Sequence, residues 1–229
     1  GALALSAPIL SRDVYSYLMQ GAMLRDGFDP YSQGAAINPG PYLWEVSHDW
    51  RNTTTPYGPL HLGLGKAVTT VVGENVTAGL VVYRLISLAG FVLIVWSVPR
   101  IARQVGGDPA LALWLGVANP VMLLHLIGGM HNEAVMVGLV SVGLLWYLRS
   151  RWCTPGIALI ALAVSLKATA AVALPFVVWL MVKRHSTTTL GAAGMLVACG
   201  AWALTINVGV IQVVTWVSGT TWGWLAEIT

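Results

Sequence analysis

Residues 76–98 read VTAGLVVYRLISLAGFVLIVWSV, an apolar run whose single charge is Arg84. A helix needs about 20 such residues to cross the hydrocarbon of a bilayer. This stretch therefore predicts a membrane span, and it sets the class of the chain. Composition agrees: of 229 residues, 56% are hydrophobic and 9% charged, with 11 tryptophans and a mean hydropathy of +0.73. That profile predicts an all-α integral membrane protein and excludes an ordinary soluble domain. The net charge of +3 is small and its basic residues are scattered, so nucleic-acid binding has no support. Cys153 and Cys199 lie in or beside apolar runs and read as core residues, without a disulfide framework or metal site.

Outward from that run, PRIARQVGGDP follows on the C-terminal side, and its Arg100 and Arg103 place this end in the cytoplasm by the positive-inside rule. Residues 110–128 are expected to span back to GGMHNE, and residues 133–148 to return to Arg149 and Arg151. Residues 155–182 hold Lys167 and Pro175 and carry basic flanks at both ends, Arg149 and Arg151 before, Lys183, Arg184 and His185 after. A broken hairpin with its apex near Lys167 keeps both flanks inside, and residues 188–215 then span outward. The expected bundle, residues 76–217, has about four to six membrane helices, with 218–229 opening an extracytoplasmic loop. No internal repeat of fixed period is evident.

On the N-terminal side the character changes. Five of the nine acidic residues, Asp13, Asp26, Asp29, Glu45 and Asp49, fall within the first 49 positions. Residues 1–56 read as the end of a preceding span, GALALSAPIL, plus an extracytoplasmic first loop; residues 57–75 read as an interfacial or re-entrant helix. The run SRDVYSYLMQG (11–21) predicts an amphipathic helix capped by Ser11. Val14, Tyr17, Leu18 and Gly21 form its apolar stripe, and Asp13, Ser16 and Gln20 its polar face. Gly27 ends it and FDPYSQG is turn chemistry. Residues 38–56 form a long irregular loop whose aromatics, with Tyr57, suit a membrane interface. With no stop signal in GTTWGWLAEIT, the chain reads as a fragment of a longer membrane protein.

Asp13 has two readings. As a helix-start carboxylate it gains at most about 1 kcal/mol from the helix dipole. At a membrane face among aromatics it is also placed to take a proton from a sugar hydroxyl. Asp26 and Asp29 are second candidates, although Asp29-Pro30 is typical of turns. In GGMHNEAV (128–135), Asn132 and Glu133 serve equally as a cap and first-turn acid, or with His131 as polar groups facing the same cavity as Asp13. No histidine stands four residues after His131, so a zinc motif of the HExxH type is absent and no metal is expected. Lys167 and Arg84 are intramembrane cations, which snorkel or serve a ligand. The natural partner of Lys167 is a lipid phosphate, because no carboxylate lies near it in sequence. His125 reads as a packing residue. Phosphate-binding glycine loops, GxSxG and CxxC are absent.

SRDVYSYLMQG, GFDPY, TPYGPL, GGMHNE and the lysine-bearing AVSLKATAA, in this order, resemble the GT-C glycosyltransferases. They are most similar to the actinobacterial polyprenyl-phosphomannose-dependent alpha-1,6-mannosyltransferases of lipomannan and lipoarabinomannan assembly. The resemblance covers nearly the whole chain. It implies a polytopic helix bundle whose large extracytoplasmic first loop carries the essential acid, at the position of Asp13. It implies mannose transfer, with inversion, from a polyprenyl-phosphate donor to a lipid-linked mannan acceptor on the outer face of the cell membrane. Asp13 is then the general base, and no cofactor is needed. Arg12, Asp29, Tyr31, Tyr57, Arg84, His131, Asn132, Glu133 and Lys167 are the candidate substrate-binding residues. The leaving phosphate calls for positive charge, and Lys167, Arg84, Arg12 and His131 all remain open for that part. Arabinose or glucose as the donor sugar stays open too. So does a different class, a polytopic transporter or lipid-binding scaffold, although the loop-bound polar residues and lack of repeats favour the transferase.

Overall fold

The computed structural model describes residues 6–150, 152–185 and 189–227, with no side-chain description for 189 and 190. Arg151 and the start of GALALSAPIL lie outside these. Among the described residues every regular element is a helix, and there is no strand. The helices are α1 (Asp13–Arg25), α2 (Pro41–Glu45), α3 (Pro59–Val72), α4 (Val76–Gln104), α5 (Pro109–Gly116), α6 (Pro120–Gly128), α7 (Glu133–Arg149), α8 (Thr154–Leu166), α9 (Ala173–His185) and α10 (Thr189–Ser218).

α4 is the apolar run met first. Asn75 caps it by accepting a hydrogen bond from the Ala78 N–H at 3.0 Å. Its 29 residues make it about 43 Å long at 1.5 Å per residue. By length and composition, α4 and α10 are long and apolar enough to cross a bilayer, and the bent pair α5–α6 makes a third if it is one span. Residues 110–128 are not the straight span that the sequence suggested, for α5 and α6 meet at 53°. The cause is local. Pro120 has no N–H to donate and pushes Asn119 into extended backbone, while the Asn119 side chain accepts from the Val121 N–H at 2.8 Å to start α6. The second part of α6, Leu123–Gly128, is wound as a π-helix.

The helices share two ends. Arg84 of α4 lies beside Ile127, Gly90 beside Ala134 and Gly138, and Trp96 beside Leu145 and Arg149, so α4 and α7 run in the same direction. α8 returns antiparallel to α7, with Gly143 against Gly156, and finishes at Ser165 and Leu166 against Gly58. After the break at Lys167, α9 runs back, and Arg184 donates to the Ser150 carbonyl at 3.0 Å. α10 then ends with Ser218 against Gly63 of α3. One end of the bundle therefore collects Arg100, Arg103, Arg149, Lys183, Arg184 and His185. The other collects α1, the 26–58 loop, α3, residues 128–133, Lys167 and the residues after α10.

α1 is not the half-exposed amphipathic helix expected. Val14, Ser16, Tyr17, Leu18, Met19, Gly21, Ala22 and Met23 are all buried, because the loop and α2 cover the face that would otherwise meet water. Its apolar stripe packs on α3 so closely that a Cβ on Gly21 would lie 2.2 Å from the Gly65 carbonyl carbon. Ser11 precedes the first helical turn and accepts from the Asp13 N–H at 3.0 Å. The loop is ordered by short helical turns, with Tyr42 donating to the Gly73 carbonyl at 2.7 Å.

Candidate active site

At the loop-bearing end, four charged or ionisable side chains from three distant segments form a chain. Asp13 opens α1, and its Oδ2 lies 3.3 Å from His131 Nδ1. That same nitrogen is 3.7 Å from Oε2 of Glu133, the first residue of α7. The other oxygen of Glu133, Oε1, accepts a hydrogen bond from Lys167 Nζ. Lys167 Nζ also stands 5.5 Å above the ring of Tyr57, within cation–π range. All four side chains are partly buried, so the cluster is reachable yet shielded enough for its charges to act on one another.

Each position follows from a helix end. His131 is set by the turn between α6 and α7, where the buried Met130 takes a left-handed φ of 53°. This backbone is costly for a residue with a Cβ and persists only where its surroundings impose it. Lys167 has extended backbone that stops α8. The TPYGP turn is fastened to this stop, because the Gly58 N–H donates to the Leu166 carbonyl at 3.0 Å. Only glycine permits that approach, as a Cβ on residue 58 would lie 2.3 Å from the Ser165 oxygen.

Charge moves the proton equilibria in opposite directions. The hydrogen bond from His131 holds the Asp13 carboxyl below its ordinary value, against the effect of burial and helped by Ser11 and the positive charge of Lys167. The same hydrogen bond, with the nearby carboxylates, raises His131. Asp13 is thus an ionised acceptor near neutral pH, and His131 is its partner. Burial and the charge of Asp13 push the Tyr57 hydroxyl up to about 12, which keeps it a neutral donor.

The remaining residues singled out in the sequence fall elsewhere. Lys167 is not a carboxylate-free cation, because the fold brings Glu133 to it across 34 residues of chain. Arg84 is buried, and its guanidinium donates to the backbone carbonyls of Ile127, at 2.9 Å, and Ser6, clamping the N-terminal segment. Arg12 turns outward and pairs with Glu45 at 3.0 Å. Asp29 closes its own turn, accepting from the Tyr31 N–H and the Ser32 hydroxyl. Tyr31 packs against Gly223 and the buried Trp224. Asp26 pairs with Arg25 and Asn38. The Asn132 amide is buried, 3.2 Å from Nδ1 of His61. Sequence reasoning missed His61 and Tyr17, which stand directly behind the cluster. Neither carried a sequence signal that separates it from an ordinary packing residue.

The fold and this cluster define an all-α membrane protein with a carboxylate–imidazole–carboxylate–ammonium site at one end of its helices. Residues 2–184 match the family model described as Alpha-(1->6)-mannopyranosyltransferase, N-terminal domain. Alpha-(1->6)-mannopyranosyltransferase A of Corynebacterium glutamicum is 58% identical over 99% of this chain and 48% of its own length. The protein of the same name from Mycobacterium tuberculosis is 46% identical over 99% of this chain and 44% of its own length. Alpha-(1->6)-mannopyranosyltransferase B of Corynebacterium glutamicum is 30% identical over 97% of the chain and 40% of its own. No solved structure matches. The chain belongs to the alpha-(1->6)-mannopyranosyltransferase family, and it spans about half the length of the curated relatives it matches.

Proposed function

We propose that the chain carries the catalytic part of a membrane mannosyltransferase that forms α-1,6 links. In this reading the donor is a polyprenyl-phosphate mannose, the acceptor is a lipid-linked mannan, and the reaction runs with inversion at the extracytoplasmic face. The observation that carries it is the Asp13–His131–Glu133–Lys167 chain, set at the end of the bundle opposite the basic helix termini. Family membership supports the sugar, and the resemblance noted from the motifs supports the donor.

The acceptor hydroxyl attacks the anomeric carbon while Asp13 takes its proton. The bond from that carbon to the phosphate oxygen breaks, and the polyprenyl phosphate leaves with the electron pair. Asp13 need not be a strong base, because the attacking hydroxyl becomes acidic as its new bond forms. The departing phosphate gains negative charge, which protonated His131 and Lys167 offset. Glu133 holds both cations in place.

The test is mannose transfer by the full-length protein with Asp13→Asn, in membranes supplied with radiolabelled polyprenyl-phosphate mannose. Turnover is expected to fall at least about 100-fold, the lower end for a lost general base, at unchanged membrane abundance. Near-normal turnover overturns the assignment.

A further inference from the structure

Behind the charged cluster lies a second, uncharged one. His61, on the buried face of α3, is 2% exposed. Its ring lies 4.4 Å from that of Tyr57 and 4.7 Å edge-on from that of Tyr17. Burial keeps the imidazole neutral. Nδ1 must then accept, because its neighbour at 3.2 Å is the amide nitrogen Nδ2 of Asn132, which can only donate. With the amide in this orientation the proton sits on Nε2, which has no hydrogen-bond partner among the described residues. Asn132 is itself 7% exposed and stands between His131 and Glu133 in the chain. It gives α7 no side-chain cap hydrogen bond. Its side-chain bond goes across to α3, 71 residues away in sequence.

We propose that His61 is a positioning residue, acting through the Asn132 amide to hold His131 against Asp13 and Glu133 against Lys167. The bond ties the strained 128–133 turn to α3, and α3 is locked to α1 at Gly21 and Gly65. α1 carries Asp13. The two partners in the 3.3 Å Asp13–His131 contact are thus fixed to one frame by a buried link neither of them makes. Tyr57 serves both clusters, with one neighbour His61 and the other Lys167. The proposal deepens the transferase reading and rests on it.

The experiment measures kcat, donor KM and the pH dependence of kcat/KM for the full-length protein and three variants. His61→Phe keeps an aromatic ring and removes the acceptor. His61→Gln retains an acceptor for the Asn132 amide. Asn132→Ala removes the bond from the other side. Asp13→Asn is run in parallel as the control on the transferase reading itself. The groups facing Asp13 are His131, Ser11, Lys167, Tyr17 and Tyr57, with Glu133 beyond His131. Loosening His131 releases the strongest of the influences that keep Asp13 ionised. His61→Phe and Asn132→Ala should therefore lower kcat about tenfold or more, leave donor KM within about twofold, and move the acid limb of the profile to higher pH. His61→Gln should restore most of both. The double variant should be no worse than the poorer single one.

If Asp13→Asn is inactive while His61→Phe and Asn132→Ala keep the wild-type kcat and acid limb, positioning is overturned and the transferase reading stands. If Asp13→Asn is active, the transferase reading fails first. If His61→Phe does not accumulate, Asn132→Ala and His61→Gln decide: an unmoved acid limb in Asn132→Ala overturns the proposal, and a raised one restored by the amide acceptor supports it.

Discussion

The Glu133–Lys167 pair can be tested as a unit. At 4 Å and an effective dielectric of 20, two unit charges attract by about 4 kcal/mol. Removing both from water offsets much of that. Exposed pairs retain about 0–1 kcal/mol, and breaking a buried one costs about 3–5 kcal/mol. These side chains are 31% and 27% exposed, between the two limits, which puts their coupling at about 1–2 kcal/mol. Glu133→Gln leaves an ammonium with only the Tyr57 face and an amide oxygen for company. Lys167→Met leaves a carboxylate beside Asp13 and His131. Each single change should thus cost more than half of the double change. The assay is unfolding of the full-length protein in mixed micelles by increasing SDS, for the wild type, both singles and the double. Costs that add to within about 0.5 kcal/mol would falsify the coupling. Activity supplies a second reading. Lys167 helps keep Asp13 ionised, so Lys167→Met should move the acid limb of kcat/KM upward.

Two further predictions concern protonation and topology. The folded value of Asp13 is depressed from 3.8, so its contribution to stability is present above that value and is lost as pH falls through the folded value. That of His131 is raised from 6.5, so its contribution is full below 6.5 and is lost as pH rises through the folded value. Thermal unfolding of the full-length protein against pH should show both slopes, and a slope above pH 6.5 that survives in His131→Gln would assign it to another group. Asn132 is too buried to report sidedness, but Trp44 on α2, at the same end of the bundle, is 70% exposed. With Cys153 and Cys199 replaced by Ala, Trp44→Cys should react with an impermeant thiol reagent in intact cells; labelling only after lysis reverses the topology.

Class was legible because composition alone decides it: a run such as 76–98 has few alternatives to an apolar helix in lipid. The break in 110–128 was missed, although Asn119-Pro120 carries the ordinary penalty of a residue before proline. The run of apolar residues on both sides concealed it. Asp13, His131, Glu133 and Lys167 could be named as polar groups in costly places, but their partners could not. Arg12 is next to Asp13 in sequence, yet adjacent residues project in different directions, and it reaches Glu45 instead. Lys167 had no carboxylate near it in sequence, and only the packing of α7 on α8 supplies one. His61 gave little signal because a histidine among Leu and Gly reads as packing until its neighbours in space are known.

The four groups share a feature that explains why they can meet. None lies in the middle of a helix: Asp13 and Glu133 begin one, Lys167 terminates one, and His131 sits in the strained turn between two. Continuous helices satisfy their own backbone and present side chains on the outside of a cylinder, so two packed helices bring apolar stripes together. A break reverses this. It releases carbonyls and N–H groups that need partners, and it lets a polar side chain leave along the helix axis toward other helix ends. Here the Lys167 break is closed by backbone from another segment, the Gly58 N–H on the Leu166 carbonyl, so the side chain of Lys167 is left for Glu133 and Tyr57. A substitution that repaired the break, with α8 running straight into α9, would carry Lys167 out of the cluster. Conversely, a broken helix without Gly58 would leave the Leu166 carbonyl without this partner. The irregular backbone and the charged cluster are therefore one arrangement, each supplying what the other leaves unsatisfied.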